Sequence, residues 1–181
     1  MEKTVVLTED ELMWCKNHAM EVVEYYGGNN TLGSGQYNHN KISSNMVGVK
    51  SEVATAKWFR ENIKNPKIEE NYKRYRSNGL KGDIVCNRKV IEVKGLRPHQ
   101  WQKFRRMVPP RQLRHCVRNR AIIVWTLAKG NSQDSKVKLM GWNYAHEVEN
   151  HGVEVRTICD NIWLQDDELM RPMDTLVDVL N

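Results

Sequence analysis

The most informative part of this sequence is residues 82–95, which read GDIVCNRKVIEVKG. Short apolar runs flank Asn87-Arg88, and this pattern predicts an antiparallel hairpin with those two residues as its turn. In that register Asp83 faces Glu92, and directly opposed residues place their Cβ atoms about 5 Å apart on one face. Lys94 lies two residues beyond Glu92 and projects from the same face. Asn-Arg is not the favoured Asn-Gly pair, and a longer turn would shift the register.

Two facing carboxylates at the end of an apolar hairpin repel each other and need a positive charge nearby. Lys94 alone could supply it. A Mg²⁺ ion could also supply it, since Mg²⁺ takes oxygen ligands from one or two carboxylates and keeps several waters. In the second case the Lys94 side chain is placed to orient a water on the metal, or to deprotonate it when the amine is neutral.

Glu52 is a third carboxylate of interest, because it lies inside the apolar stripe of a predicted helix over 46–63. A charged side chain that faces a core needs a partner. Glu52 therefore either bridges to Lys50 or Lys57 along its own helix, or supplies a further metal or water ligand.

The remaining patterns predict an α/β fold, a central mixed β-sheet flanked by helices. Helices are predicted over 8–26, 46–63, 98–117 with a break at Pro109-Pro110, 143–150 and 175–180. Strands are predicted over 68–76, 82–86, 89–94, 121–125 and 136–142. We expect one domain, with a core over 46–127, an N-terminal helix and a mobile Gly/Asn/Ser-rich loop within 1–45, and C-terminal additions over 128–181.

Composition excludes several classes of protein. Of the 181 residues, 40% are hydrophobic, which argues against disorder, and no run approaches the roughly 20 apolar residues that span a membrane. The first residues turn polar too soon for a secretory signal, so we expect a cytoplasmic protein with no membrane partner. The four cysteines form no CxxC pair, which favours free thiols over a zinc site.

Charge is distributed unevenly along the chain, whose net charge is +6. No acidic residue lies between Glu92 and Asp134, a stretch that contains ten basic residues. These are Lys94, Arg97, Lys103, Arg105, Arg106, Arg111, Arg114, Arg118, Arg120 and Lys129. Such a block inside a folded domain predicts a polyanionic partner, with a solvated helix face as the alternative.

Gly82-Asp83, eight residues, then Glu92-Val93-Lys94 resembles the PD-(D/E)xK motif of the restriction-endonuclease-like nuclease superfamily. Gly82 stands where the motif has proline. The element order over 46–127 also looks like the core of that family, and the compact make-up is similar to that of its phage-type members. The resemblance implies a restriction-endonuclease-like core that holds Mg²⁺ or Mn²⁺. The metal ligands it implies are Asp83, Glu92, Glu52 and Val93, with Lys94 assisting the attacking water.

The function implied by the resemblance is a Mg²⁺-dependent deoxyribonuclease, a hydrolase of phosphodiester bonds. Gln102 or Lys103 is expected to contact the metal-bound water or the scissile phosphate. Further contacts with DNA are expected from Arg105, Arg106, Arg111, Arg114 and Arg118. The alternatives are a structure-selective junction resolvase, a restriction-type endonuclease, or a nuclease-like DNA-binding module that does not cut. Since we see no separate recognition domain, we expect a homodimer or a protein partner.

Overall fold

The computed structural model describes residues 2–27, 41–74, 81–104, 106–157, 160–165 and 169–181. Its strands are β1 (Lys3–Val6), β2 (Ile68–Glu70), β3 (Ile84–Cys86), β4 (Lys89–Leu96), β5 (Arg106–Val108), β6 (Ile122–Ala128), β7 (Lys136–Tyr144), β8 (Val153–Thr157) and β9 (Asp160–Gln165). Its α-helices are α1 (Glu9–Gly27), α2 (Lys41–Asn62), α3 (Pro98–Phe104), α4 (Pro110–Arg118), α5 (Ala145–His151) and α6 (Met173–Leu180). A short 3-10 helix, Asn71–Arg74, follows β2.

The larger sheet has six strands in the order β1-β7-β6-β4-β3-β2. Strands β4 and β6 are parallel, and the other neighbours are antiparallel, so the sheet is mixed. Helix α2 packs across β4 and β6, and α1 packs on α2. The predicted α/β fold, a mixed sheet flanked by helices, is therefore confirmed.

Strand β6 shows that both faces of this sheet are buried. Ile122 and Val124 belong to the apolar cluster that includes α1 and α2, while Ile123 and Trp125 belong to a second cluster with α4 and α5. Successive side chains of a strand point to opposite faces, so the two clusters lie on either side of the sheet. A continuous apolar run is what a doubly covered strand requires.

A second, three-stranded antiparallel sheet, in the order β5-β9-β8, was not predicted. The helix predicted over 98–117 breaks at the prolines, but residues 106–108 before the break form β5 and not helix. A residue that precedes proline is disfavoured in the helical region, and Val108 precedes Pro109. Val108 then pairs with Trp163 of β9 in an extended conformation.

Other boundaries differ by smaller amounts. The Thr8–Glu11 capping box forms as predicted, with the Glu11 amide donating to Thr8 Oγ1 at 3.2 Å. Helix α2 begins at Lys41, earlier than its apolar pattern indicates, and the Arg97 guanidinium donates to Ser43 Oγ at 2.9 Å in its first turn. The predicted strand 68–76 is short, because the 3-10 helix replaces it after Glu70. Most of the predicted mobile loop, residues 28–40, lies outside the described residues.

In the described ranges, no helix combines the length and the apolar character that crossing a membrane requires.

Candidate active site

The β3–β4 hairpin forms in the predicted register. Ile84 pairs with Ile91, and Cys86 pairs with Lys89. The turn residues Asn87 and Arg88 have φ values of +46° and +68°. Positive φ at both positions is the type I′ geometry, whose twist matches a two-residue hairpin, so this turn forms without the favoured glycine.

Asp83 lies directly before β3 and belongs, with Glu92 and Glu52, to a group of carboxyl groups that we call the acidic cluster. Its backbone N–H donates to the Ile91 carbonyl at 3.0 Å, and its Oδ2 accepts from the Val93 N–H at 2.7 Å. Gly82 makes this possible, because at its φ of +115° an added Cβ would lie 2.8 Å from the Ile91 oxygen. Asp83 is therefore bonded to the residues on both sides of Glu92, and not simply placed opposite it as the hairpin register suggested.

Glu92 and Lys94 share one face of β4, as predicted, and form an ion pair. Lys94 Nζ lies 2.7 Å from Glu92 Oε1, and the two side chains are only 15% and 7% exposed. Gln112 Nε2 of α4 donates to the same oxygen at 2.6 Å. Two donors on Oε1 fix the carboxylate in one orientation.

Glu52 reaches the same place from α2. A Cβ on Gly95 would lie 2.5 Å from Ser51 Oγ, so the absence of a side chain at Gly95 lets α2 lie close against β4. Glu52, the next residue after Ser51, lines one cavity together with Asp83 and Glu92.

Both lysines considered as partners for Glu52 are bound elsewhere. Lys50 donates to the backbone carbonyls of Lys129 and Asn131, at 2.9 and 3.1 Å. Lys57 donates to the Glu11 carboxylate at 2.9 Å. These contacts favour the interpretation of Glu52 as part of the acidic cluster.

The electrostatics of the cluster are unusual for a folded core. Burial raises the pKa of Asp83 to about 7, and the Glu92 carboxylate adds to the effect. Burial also raises the pKa of Glu52 well above its ordinary range, helped by the charges of Asp83 and Glu92. Burial acts to lower the pKa of Lys94, but the Glu92 and Asp83 carboxylates outweigh it, and the pKa of Lys94 is raised. Three carboxyl groups beside one ammonium leave a surplus of negative charge when all are ionised.

The cavity above the cluster has a volume of about 1030 Å³ and lies between α2 and α4. Arg111, Arg114 and Arg118 of α4 line it, spaced three and four residues apart. Residues at this spacing share one side of a helix. These three arginines, which we call the α4 arginines, are all exposed.

The other residues predicted to contact nucleic acid have different positions. Arg105 lies outside the described residues, as do the side chains of Gln102 and Lys103. Arg106 is 0% exposed, with its guanidinium 5.9 Å from the Trp101 ring centroid, and it does not line the cavity. Arg106 and Val108 are the buried positions of the three-residue strand β5, which explains why Arg106 points inward. A side chain with no accessible surface is not available to DNA, so the structure corrects the prediction for Arg106.

Val93 contributes to the site through its backbone alone. Its side chain is 7% exposed and belongs to the apolar cluster on the α2 face. Its N–H is already bonded to Asp83. The predicted contribution of Val93 to metal binding could therefore come only from its carbonyl oxygen.

Gln112 is the residue of this site that the sequence reasoning missed. It lies four residues before Cys116, which is buried, and beside Leu113, which is also buried. A polar residue on the inward side of an amphipathic helix was the available signal. The basic residues around it drew attention to the outer side of the helix instead.

The donor atoms of the site decide whether it suits a divalent cation. Within the described residues, no group of three or more His, Cys, Asp or Glu side chains is already arranged to hold a metal ion. Mg²⁺ needs fewer, since it binds through one or two carboxylates and retains waters. Asp83 and Glu92 provide such a pair, their donors are oxygen, and the negative surplus suits a cation. The residues present therefore fit Mg²⁺ or Mn²⁺.

Comparisons of this chain with protein-family models, with curated proteins and with solved structures find no match. The resemblance to the restriction-endonuclease-like superfamily therefore remains a prediction from the residues of the motif. What supports a function is the geometry and charge of the cavity.

Proposed function

We propose that this protein is a Mg²⁺- or Mn²⁺-dependent nuclease that hydrolyses phosphodiester bonds in DNA. One observation carries the proposal: three carboxyl groups, those of the buried Glu92 and the half-buried Asp83 and Glu52, share a cavity with the α4 arginines. The arginines attract a polyanion, and the carboxylates repel it unless a cation lies between them. A bridging divalent cation with a phosphate-containing substrate satisfies both sets of charges.

The restriction-endonuclease-like core is part of the same proposal. An aspartate precedes β3, Glu92 and Lys94 share one face of β4, and a preceding helix contributes Glu52. These placements follow the order of the family motif. They support the assignment of the mixed sheet to that core.

Asp83 and Glu92 would hold the metal, with Glu52 as a direct ligand or one acting through water. A bound divalent cation polarises the phosphate and lowers the pKa of a bound water. Lys94 and Gln112 both donate to Oε1 of Glu92, so Oε2 is the oxygen of Glu92 that would hold the cation. Because the pKa of Lys94 is raised, the side chain stays in its protonated ammonium form. That favours donation of a hydrogen bond to the attacking water or the phosphate over removal of a proton.

The α4 arginines would hold the DNA backbone without reading its sequence. Phosphate contacts fix the position of a nucleic acid, and sequence is read through the base edges. Since the arginines line the cavity that contains the carboxylates, a strand bound to them passes close to the proposed metal.

The test is Mg²⁺-dependent digestion of linear, nicked, branched and single-stranded DNA, with and without EDTA. Asp83→Ala and Glu92→Ala should each reduce cleavage by about 10³-fold or more, since metal catalysis contributes several kcal/mol and each 1.4 kcal/mol is tenfold. DNA binding should remain. Glu69→Ala is the matched control, because Glu69 is an exposed carboxylate on the neighbouring β2, and it should cut normally.

Full activity in either folded variant would contradict the assignment of the metal ligands. Cleavage that EDTA does not reduce would exclude a mechanism that depends on a metal. The substrate pattern separates the alternatives. Preference for branched DNA indicates a junction resolvase, discrete fragments indicate a restriction-type endonuclease, and binding without cutting indicates a module that does not cleave.

A further inference from the structure

Gly48 lies inside α2, seven residues after the helix begins at Lys41. Glycine is the poorest helix former after proline, and an interior glycine weakens a helix relative to alanine. Neither its conformation nor its neighbours account for glycine at this position. Its φ is not positive, and an added Cβ would meet no heavy atom of the described residues within 4 Å.

Other glycines of the fold differ in this respect. At Gly95 the added Cβ would collide with Ser51 at 2.5 Å, and at Gly141 with the Arg171 carbonyl at 2.5 Å. Packing explains those two residues. At Gly48 the described residues leave room for an alanine, which would strengthen the helix, so what glycine provides there is open space.

That open space belongs to the cavity of the proposed active site. Gly48 lines the cavity together with Asn45, one turn before it, and Glu52, one turn after it. The α4 arginines line the same cavity. At Gly48 the backbone of α2 therefore carries no side chain, one turn before the acidic residue Glu52.

We propose that the sugar–phosphate backbone of the substrate crosses α2 at Gly48, in van der Waals contact with the helix and between Asn45 and Glu52. Gly48 then determines which substrates can bind, because it leaves room for a DNA strand that a side chain at this position would exclude. The inference rests on the proposed nuclease function and deepens it. It states where on the protein the strand passes.

The experiment compares Gly48→Ala and Gly48→Leu with the wild-type chain and with Ile42→Ala. Ile42 is an exposed β-branched residue of α2 that does not line the cavity, so its replacement raises helix propensity and adds no atoms. Gly48→Ala should raise Tm by about 2–4 °C and yet bind DNA more weakly. Gly48→Leu should raise the Kd for DNA and the KM by about tenfold or more, with the Mg²⁺ dependence of Tm unchanged.

Wild-type cleavage is measured first, and its absence would overturn the nuclease proposal together with this inference. If the wild-type chain cuts and folded Gly48→Leu binds and cuts as well as it does, the inference alone is overturned. Because Gly48→Ala adds only a methyl group, its DNA affinity tests the inference even if the leucine variant fails to fold. Weaker DNA binding by a more stable Gly48→Ala, beside normal binding by Ile42→Ala, is the expected result.

Discussion

Two charged residues on α2, the buried Lys50 and the half-buried Glu52, occupy sites of opposite character. Lys50 is 0% exposed, and its ammonium donates to three backbone carbonyls of residues 129–134. Glu52 faces Asp83 and Glu92, whose charges raise its pKa further. The chain satisfies the first charge by itself, as buried charges in stable folds require. The second lies beside two further carboxyl groups and one ammonium, so its charge is balanced only if carboxyl groups are protonated or a cation binds.

The first way to test this contrast is to remove the satisfied charge. Lys50→Met keeps the apolar stem and deletes the donors, leaving three carbonyls without their partner. We expect the free energy of unfolding to fall by about 3 kcal/mol, measured by urea denaturation. Glu52→Gln, measured in EDTA at pH 8, should lose no stability, because burial and the charges of Asp83 and Glu92 disfavour the ionised carboxylate that it replaces. Equal stability of Lys50→Met and the wild-type chain would contradict a structural role for Lys50.

A second test separates the acidic cluster from the arginines beside it. Arg111→Ala/Arg114→Ala should lower the slope of log K against log salt concentration by about 2 for duplex DNA. Between 50 and 200 mM KCl the affinity of this variant should therefore fall about 16-fold less than the affinity of the wild-type chain. The slope is measured with fluorescent duplex, and Lys64→Ala/Lys67→Ala, which changes two exposed lysines outside the cavity, is the control. An unchanged slope in the arginine variant would mean that DNA binds elsewhere.

The third test concerns Gln112, which donates a hydrogen bond to the Glu92 carboxylate inside the acidic cluster. Gln112→Ala should reduce cleavage about tenfold and shift its Mg²⁺ dependence to higher concentrations, because residues that orient metal ligands typically contribute a factor of that size. Gln112 acts through Glu92 and so is a positioning residue. Gln133→Ala, at an exposed site, should leave both quantities unchanged. Reduced cleavage with an unaltered Mg²⁺ dependence would count against positioning of a metal ligand.

The sequence was sufficient for the parts of the site that follow from local patterns. Two apolar runs around Asn87-Arg88 determine the hairpin register, and that register places Glu92 and Lys94 on one face. Glu52 was recognisable because a charge interrupted an apolar stripe. Each of these signals spans fewer than about 20 residues, within the reach of helix and strand periodicity.

The parts that could not be predicted depend on distant partners. Strand β5 forms because residues 106–108 pair with residues 163–165, more than fifty positions along the chain. Without that pairing a three-residue segment cannot be distinguished from helix by its pattern. The burial of Arg106 follows from the same strand, and the bond from Gln112 to Glu92 depends on how α4 docks on the sheet. Charge alone does not show which arginines of this stretch are exposed.

The pH dependence of the cluster has a definite sign. The pKa of Asp83 is about 7 in the folded chain and 3.8 as its ordinary value, so the folded state binds more protons between these limits. The metal-free protein should therefore lose stability as pH rises from about 4 to 7, and the full penalty should be present above pH 7. A divalent cation that binds the ionised carboxylates would reverse that loss.

The most direct measurement is Tm at pH 8 in EDTA and in 10 mM Mg²⁺, for the wild-type chain and Asp83→Asn. If the acidic cluster is a divalent-metal site, wild type gains several degrees with Mg²⁺, since ligand at about 100 times its Kd adds roughly 2.7 kcal/mol. Asp83→Asn should start from a higher Tm in EDTA and gain little from Mg²⁺. A wild-type Tm that Mg²⁺ and Mn²⁺ leave unchanged, or an equal gain in Asp83→Asn, would contradict the metal site.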